Sequence, residues 1–256
     1  MRVNAKTQET QAGETNTVST KGLLMHLRKI VIAIDGYSAC GKSTTARQVA
    51  SVLGYRYIDT GAMYRAVTLH FLEHHVSLTD PRAVSRCLSE IHVSFKVNAR
   101  NMSETYLNGS NVEKDIRKMR ISENVSQVSA IREVRLAMVE QQRRMAREKG
   151  VVMDGRDIGT VVFPNAELKV FMTADIMVRA YRRQKELLDR GQLINLDDVI
   201  ENLRQRDKLD TERAESPLRQ AEDAVVIDTT HITIDEQVDE VVRLALARAV
   251  SPVPAR

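Results

Sequence analysis

The chain reads Gly36-Tyr37-Ser38-Ala39-Cys40-Gly41-Lys42-Ser43, followed by Thr44, between an apolar run and a helical segment. This is a complete match to the phosphate-binding loop pattern G-x-x-x-x-G-K-S. The apolar run, at 29–34, has the length and continuity of a strand that is buried on both faces of a parallel sheet. The helical segment is predicted from Lys42 to Leu53 and ends at Gly54. Because strand, loop and helix follow one another in the required order, the sequence predicts a phosphate-binding loop here.

The spacing within this loop has a physical explanation. Glycines let the backbone curve closely, so that successive N–H groups point at phosphate oxygens, and the helix N-terminus adds a partial positive charge. Lys42 is predicted to bridge the terminal phosphates of a nucleoside triphosphate, and the Ser43 hydroxyl is predicted to bind Mg²⁺. Residues 36–44 are therefore the predicted triphosphate-binding residues.

Strands alternate with helices along most of the chain, which indicates an α/β fold whose parallel sheet is covered by helices on both faces. Thr60 is predicted to cap the helix after the second strand. A helix start is also predicted at Asp80, and Thr233 with Glu236 is predicted to cap a closing amphipathic helix. Further strands are predicted at 55–59, 151–154, 168–172 and 224–227, and further helices at 175–189 and 195–208.

A different pattern interrupts this alternation. Apolar and polar residues alternate at 91–97, as in a half-exposed strand, and residues 105–107 lead into an Asn108-Gly109 turn. One continuous helix is predicted after them, at about 122–148. The sequence thus predicts a small antiparallel element inserted into an α/β chain.

Composition limits the classes of function. The chain has 256 residues, with 38 Lys and Arg against 34 Asp and Glu, and a net charge of +4. So small a charge argues against a general nucleic-acid-binding surface, whereas the clustering of Arg suits a compact anionic ligand. Cys40 and Cys87 lack the spacing of disulfide frameworks and metal sites, so we expect reduced thiols in a cytoplasmic protein.

The rest of the sequence contains no targeting or membrane signal. No apolar run approaches the roughly 18 residues of a membrane span. Residues 1–27 lack the apolar stretch of a signal peptide and are predicted to form a disordered leader. Met25 is a candidate for a later start. No oligomerisation signal is evident, so we expect a monomer that binds neither membranes nor nucleic acid.

Three further strings place charged residues where ligands collect in α/β folds. Residues 59–65 read D-T-G-A-M-Y-R at the end of one predicted strand, and residues 154–157 read D-G-R-D at the end of another. The third string, at residues 206–213, reads R-D-K-L-D-T-E-R. If the helix continues, it would place Arg206, Asp210 and Arg213 on successive turns of one helix face. An ordinary i, i+4 salt-bridge ladder is the alternative for these arginines. The sequence lacks the guanine-reading N-K-x-D string that a GTPase would carry after a late strand.

Together these strings resemble the bacterial cytidylate kinase family of nucleoside monophosphate kinases, over about Lys29 to Ala249. Tyr37 and Cys40 depart from that family's loop, where Pro and a smaller residue are more usual, but both positions act through the backbone. The resemblance implies a P-loop NTPase fold with an inserted monophosphate-binding domain and a short lid. The implied bounds are a core at about 28–60, 150–178 and 192–250, an insert at about 61–149 and a lid at about 179–191.

The resemblance also implies the reaction, which is transfer of the γ-phosphate of ATP to CMP or dCMP with Mg²⁺ as cofactor. The acceptor is a phosphate oxygen that is already ionised at neutral pH, so no catalytic base is needed and positioning and electrostatic stabilisation dominate. Asp154 lies where a ligand to Mg²⁺ through water is expected, and Arg179 and Arg183 are implied to bind ATP from the lid. The implied catalytic residues are Lys42, Arg135, Arg156, Arg206 and Arg213, and the implied CMP-binding residues are Thr60, Arg65, Ser126, Arg135, Arg156, Asp157, Arg206, Asp210 and Arg213.

The sequence leaves some alternatives open. A kinase of similar fold that acts on UMP or shikimate is the nearest, and a P-loop nucleotide-binding switch with little turnover is the alternative from another class. Asp157 also has two interpretations. It reads the cytosine ring together with Ser126, or it pairs with a neighbouring Arg and organises the site.

Overall fold

The computed structural model describes residues 27–99, 103–189 and 191–250. Its central strands are β1 (Val31–Gly36), β2 (Arg56–Asp59), β6 (Val151–Asp154), β7 (Leu168–Thr173) and β8 (Val225–Asp228). They form a parallel sheet in the order β2–β6–β1–β7–β8. The predicted α/β fold with a parallel sheet is confirmed.

Helices occupy the segments between these strands. Three predicted starts are confirmed, because Asp80, Asn195 and Thr233 each accept a hydrogen bond from a backbone N–H of the first turn. The helices are α1 (Lys42–Leu53), α2 (Thr60–Glu73), α3 (Pro81–Ser89), α4 (Met119–Ala130), α5 (Arg132–Met145), α6 (Ile176–Leu188), α7 (Leu196–Glu212) and α8 (Ile234–Val250).

Strand β1 is buried along its whole length, and its side chains alternate between two cores. Val31 and Ala33 belong to the core that includes α2 and α5, whereas Ile32 and Ile34 belong to the core that includes α1 and α8. Both faces of the strand are therefore covered. This explains why residues 31–34 form an unbroken apolar run that does not alternate with polar residues.

The inserted element contains an antiparallel sheet formed by β3 (Val93–Val97), β4 (Ser103–Leu107) and β5 (Ser110–Asn111). The predicted turn joins β4 to β5, and Asn108 and Gly109 have positive φ angles of 49° and 86°. Such angles explain the Asn-Gly pair, since these residues tolerate the left-handed region best.

The prediction of one helix at 122–148 is wrong. The segment forms α4 and α5, which are separated at Ile131, where the backbone is extended (φ −70°, ψ 125°). Buried Val128 and Val134 are six positions apart, so on one continuous helix they would point about 120° apart. The break at Ile131 lets both side chains pack in the same core.

Helices α6 and α7 form a small unit with its own apolar core, in which Ala180 and Leu187 pack with Leu203. Helix α7 extends beyond the predicted end at 208 but stops at Glu212. Arg213 has an extended backbone just outside the helix. The prediction that Arg213 shares a helix face with Arg206 is therefore wrong.

Residues 1–26, and with them almost all of the predicted leader, lie outside the described residues. Since residues 1–24 lack apolar periodicity, a chain that begins at Met25 is expected to keep the melting temperature and the activity of the full chain. Thermal unfolding and turnover of the two chains, measured side by side, check this. A fall of several degrees on truncation would show that the leader docks on the folded part.

None of the helices within the described ranges combines the length and the apolar character that crossing a membrane requires.

Candidate active site

A cavity of about 900 Å³ opens at the carboxyl ends of β1, β2 and β6, the edge at which ligands collect in α/β folds. It brings together most of the residues predicted from the sequence. These are Ser38, Ala39, Gly41, Lys42, Ser43, Thr44, Thr60, Arg65, Ser126, Arg135, Asp154, Arg156, Asp157, Arg183, Arg206, Asp210 and Arg213. The predicted residues outside the cavity lining are Gly36, Tyr37, Cys40 and Arg179.

The P-loop residues outside the lining support the loop on the side that faces away from the cavity. Gly36 has a φ of +144°, and a Cβ atom there would lie 2.0 Å from the Met172 carbonyl oxygen, so this position requires glycine. The Tyr37 ring packs edge-on against Phe171, with 5.9 Å between ring centroids. The Cys40 side chain is fully buried. Both departures from the usual loop sequence are therefore accommodated by packing outside the cavity.

Lys42 is buried, and its Nζ donates a hydrogen bond of 2.5 Å to the Tyr37 carbonyl oxygen. Burial, together with the positive charge of Arg156, lowers the pKa of Lys42 to about 8. An anionic ligand beside the ammonium group would offset both effects. The lysine is thus held where a phosphate stabilises its charged form.

Asp154, at the end of β6, is held by two hydroxyl groups. Ser43 Oγ donates to Oδ2 at 2.7 Å, and the Tyr57 hydroxyl donates to Oδ1 at 2.9 Å. Burial and the neighbouring charge of Asp59 raise the pKa of Asp154. A cation bound beside this carboxyl group would favour its ionised form.

The Ser43–Asp154 pair fits a Mg²⁺ ion that binds with a nucleotide. The Ser43 hydroxyl donates its one hydrogen to Asp154, which leaves its oxygen lone pairs for a cation. Hydroxyl and carboxylate oxygens are ligands that Mg²⁺ prefers, and the ion usually keeps several waters and binds substrate phosphates as well. These two side chains are therefore suited to hold the ion, directly or through water.

The junction between β2 and α2 differs from the predicted one. Helix α2 is capped by Asp59, whose Oδ1 accepts a hydrogen bond of 2.8 Å from the Ala62 N–H, so the prediction that Thr60 caps it is wrong. Asp59 has the extended backbone that a cap requires, whereas Thr60 is already helical. The Thr60 hydroxyl instead donates to the Asp154 carbonyl oxygen at 2.6 Å.

Asp59 also pairs with two arginines. Arg65 Nη2 lies 3.1 Å and Arg117 Nη2 lies 3.2 Å from its Oδ2 atom. Although burial alone would raise it, these positive charges hold the pKa of Asp59 below its usual value. Both arginines line the cavity, as does Glu113, which pairs with Arg117 at 2.8 Å, so two carboxylates balance the two arginines at this junction.

A second group of arginines surrounds Asp210. Arg156 Nε donates to Asp210 at 2.7 Å and its Nη2 donates to Ser38 Oγ at 2.8 Å, which connects the P-loop to α7. Arg213 Nη1 lies 3.6 Å from the same carboxylate. Arg206 has no ion-pair partner in the part of the chain that the structure describes, and its Nε is buried without a hydrogen bond. Burial and the charge of Arg156 lower the pKa of Arg206 to about 10, so the group favours an anionic ligand.

Asp157 is buried and already paired. Arg135 forms a buried ion pair with its Oδ2, and Arg213 Nη2 lies 3.8 Å from its Oδ1. This pairing is the arrangement that the organiser interpretation requires. Asp157 and Ser126 both line the cavity, so readout of a base by these side chains stays a prediction.

Arg179 and Arg183 of α6 differ in position. The Arg179 guanidinium is buried, lies 5.3 Å from the centroid of the Tyr37 ring and pairs with Asp207 at 2.6 Å. Its Nη1 donates to the Ser38 carbonyl oxygen at 3.3 Å. Arg179 therefore contacts the P-loop from outside the cavity, whereas Arg183 lines the cavity.

Comparison with known proteins shows which family combines these features. A sequence profile of the family described as Cytidylate kinase matches residues 32–247. The chain belongs to the cytidylate kinase family. It is 60% identical to the cytidylate kinase of Cytophaga hutchinsonii, over 88% of this chain and 96% of that one. It is 51% identical to the cytidylate kinase of Bacteroides fragilis (strain ATCC 25285), over 82% of this chain and 94% of that one.

A shikimate kinase from Bacteroides thetaiotaomicron is a more distant match among solved structures. It has 13% identity and a TM-score of 0.44, over 84% of this chain and 98% of that one.

In this member of the cytidylate kinase family, the cavity contains residues for which the sequence patterns predicted no binding or catalytic role. Asp59 carries a local signal, since an Asp directly before a helical segment is a common N-cap. Arg117 carries none, because it lies in a short turn at 115–117 whose approach to Asp59 depends on tertiary packing. The added lining residues include Arg47, Asp59, Tyr64, Lys114, Arg117, Ser122 and Ser129.

Proposed function

We propose that this protein is a cytidylate kinase, which transfers the γ-phosphate of ATP to CMP or dCMP and releases ADP with CDP or dCDP. One observation carries the proposal: a single cavity joins the P-loop to two groups of arginines. Lys42 and Ser43 suit a triphosphate, while Arg65 and Arg206 suit a second phosphate. The identity of 60% to a relative named cytidylate kinase supports the choice of CMP.

The side chains in the cavity suit a reaction between two anions. The acceptor phosphate is ionised, so positioning and neutralisation of charge are the main demands. Lys42 would stabilise the phosphoryl group in transfer, and Arg156 and Arg206 would hold the acceptor phosphate against the repulsion between the two substrates. Mg²⁺, when bound at Ser43 and Asp154, would neutralise charge on the phosphate oxygens of ATP.

Substrate choice is tested by a coupled assay of ADP release with CMP, dCMP, UMP, AMP and shikimate as acceptors. We expect rapid release with CMP and dCMP and much slower release with the other three. A preference for UMP or shikimate would contradict the proposal, and so would ADP release that is independent of any acceptor.

The α6–α7 unit suits a lid, with the mobile segment at about 179–191. Its apolar core is separate from the two cores of the sheet, although the P-loop residue Ala39 packs against it, and Arg179 adds a polar contact with the P-loop. A lid that closes over both substrates would exclude water and prevent wasteful hydrolysis of ATP.

Hydrogen exchange checks the lid. Amide exchange in segment 179–191 is expected to be fast in the free enzyme and to slow markedly only when a nucleotide and an acceptor are both bound. Exchange of β1 amides, which are buried on both sides, serves as the internal control. Equal protection of the segment with and without ligands would argue for a fixed helix.

We expect a monomer that works on small nucleotides in the cytoplasm, as the sequence predicts. Light scattering at micromolar concentration checks the expected mass of one chain.

A further inference from the structure

Tyr57 connects the edge of the sheet to the proposed metal site. It lies on β2, whose partner β6 is paired in register, with Tyr57 opposite Val152 and Asp59 opposite Asp154. Since alternate residues of a strand point to the same face, the Tyr57 side chain extends along β6 toward Asp154. Its hydroxyl reaches Oδ1 of that carboxylate at 2.9 Å.

The two hydrogen bonds to Asp154 have different consequences. The bond from Ser43 reaches Oδ2 at 2.7 Å and comes from a residue that itself lines the cavity. The bond from Tyr57 reaches the other oxygen and comes from a residue outside the cavity lining. Rotation of the carboxylate about its Cβ–Cγ bond would break both bonds. Tyr57 is therefore placed to fix the plane of the carboxylate relative to Ser43.

The Tyr57 ring is itself held in place. It packs against the apolar core that contains Val152, and the Arg47 guanidinium lies over it, 5.5 Å from the ring centroid. A phenylalanine would keep these ring contacts and remove only the hydroxyl. The substitution Tyr57→Phe thus isolates the hydrogen bond to Asp154.

We infer that Tyr57 is a positioning residue for the metal site, which orients Asp154 so that Ser43 and Asp154 together favour nucleotide with Mg²⁺ over nucleotide alone. The inference rests on the proposed role of Asp154 in holding the ion. Residues that orient a ligand in this way typically change metal affinity by about 10- to 100-fold when they are removed.

The test compares binding of ADP with Mg²⁺ and binding of ADP in EDTA, both measured by calorimetry on the full chain. In Tyr57→Phe the ratio of the two affinities is expected to fall by about tenfold or more, while the affinity in EDTA and the melting temperature stay near those of the original chain. The affinity of bound Mn²⁺, read by electron paramagnetic resonance in the presence of ADP, should fall by a similar factor.

Tyr55→Phe is the matched control. Tyr55 lies two residues earlier in the chain and packs against the same core, but its hydroxyl lies 3.2 Å from the Ile30 nitrogen and does not reach Asp154. Its affinity ratio should be unchanged. The inference is overturned if Tyr57→Phe keeps the ratio, or if it weakens ADP binding equally with and without the metal.

Asp154→Asn separates this inference from the proposal beneath it. If Asp154→Asn lowers the metal preference and Tyr57→Phe does not, only the role of Tyr57 is wrong. If Asp154→Asn keeps the full metal preference, the proposed metal site is wrong and the inference is overturned with it.

Discussion

The Lys42→Ala enzyme is expected to lose at least about 100-fold in kcat/KM, which corresponds to about 3 kcal/mol of transition-state stabilisation. The reason lies in the position of the ammonium group. It is buried within the P-loop, at a place where burial lowers its pKa to about 8 and a bound phosphate would raise that pKa again. A cation held in so dry a site stabilises a transferring phosphate far more than an exposed one does.

The fold should survive this substitution, because the loop is shaped by its backbone and by Gly36. Thermal unfolding and steady-state kinetics with CMP check both parts. Lys149→Ala is the control, since Lys149 pairs with Glu167 at the surface, away from the cavity. Near-normal turnover in Lys42→Ala would contradict the assignment of the P-loop.

The second large effect concerns base choice and Asp157. A kinase that prefers cytosine must read the exocyclic amine and the adjacent ring acceptor, where uracil presents the reverse pattern. If Asp157 accepts a hydrogen bond from the amine, UMP would leave a buried carboxylate facing a carbonyl group. Such a mismatch can favour the correct substrate over the wrong one by about 10⁴-fold or more. Asp157→Ala is therefore expected to lose more activity on CMP than on UMP. The ratio of activity on CMP to activity on UMP should fall.

The ion pairs of Asp157 make a control necessary, because its removal also takes away the carboxylate that pairs with Arg135 and one of the two that lie near Arg213. Asp207→Ala is suitable, since Asp207 pairs with Arg179 outside the cavity lining. It should lower activity on CMP and UMP by one common factor. If Asp157→Ala does the same, Asp157 is an organiser and cytosine is read elsewhere.

The sheet and the P-loop were predictable because their signals are local. The apolar run before Gly36 indicates a strand covered on both faces, and the loop motif places a helix directly after it. The loop motif and the family resemblance together identified 17 residues that line one cavity, although they are spread over more than 170 positions of the chain.

The errors arose where tertiary packing decides. The sequence pattern around Val128 and Val134 predicts one helix, whereas packing of both side chains in one core requires the break at Ile131. Tyr57 is the clearest omission. Its contact with Asp154 depends on the register between β2 and β6, which are separated by the whole inserted element.

The most direct measurement follows the phosphoryl group itself. The enzyme is incubated with CMP and with ATP that carries radioactive phosphorus in its γ-phosphate, and the labelled products are separated. A cytidylate kinase places the label in the β-phosphate of CDP, with one CDP formed for each ADP and almost none in the absence of CMP. Label that appears in inorganic phosphate at the same rate with and without CMP would contradict the account.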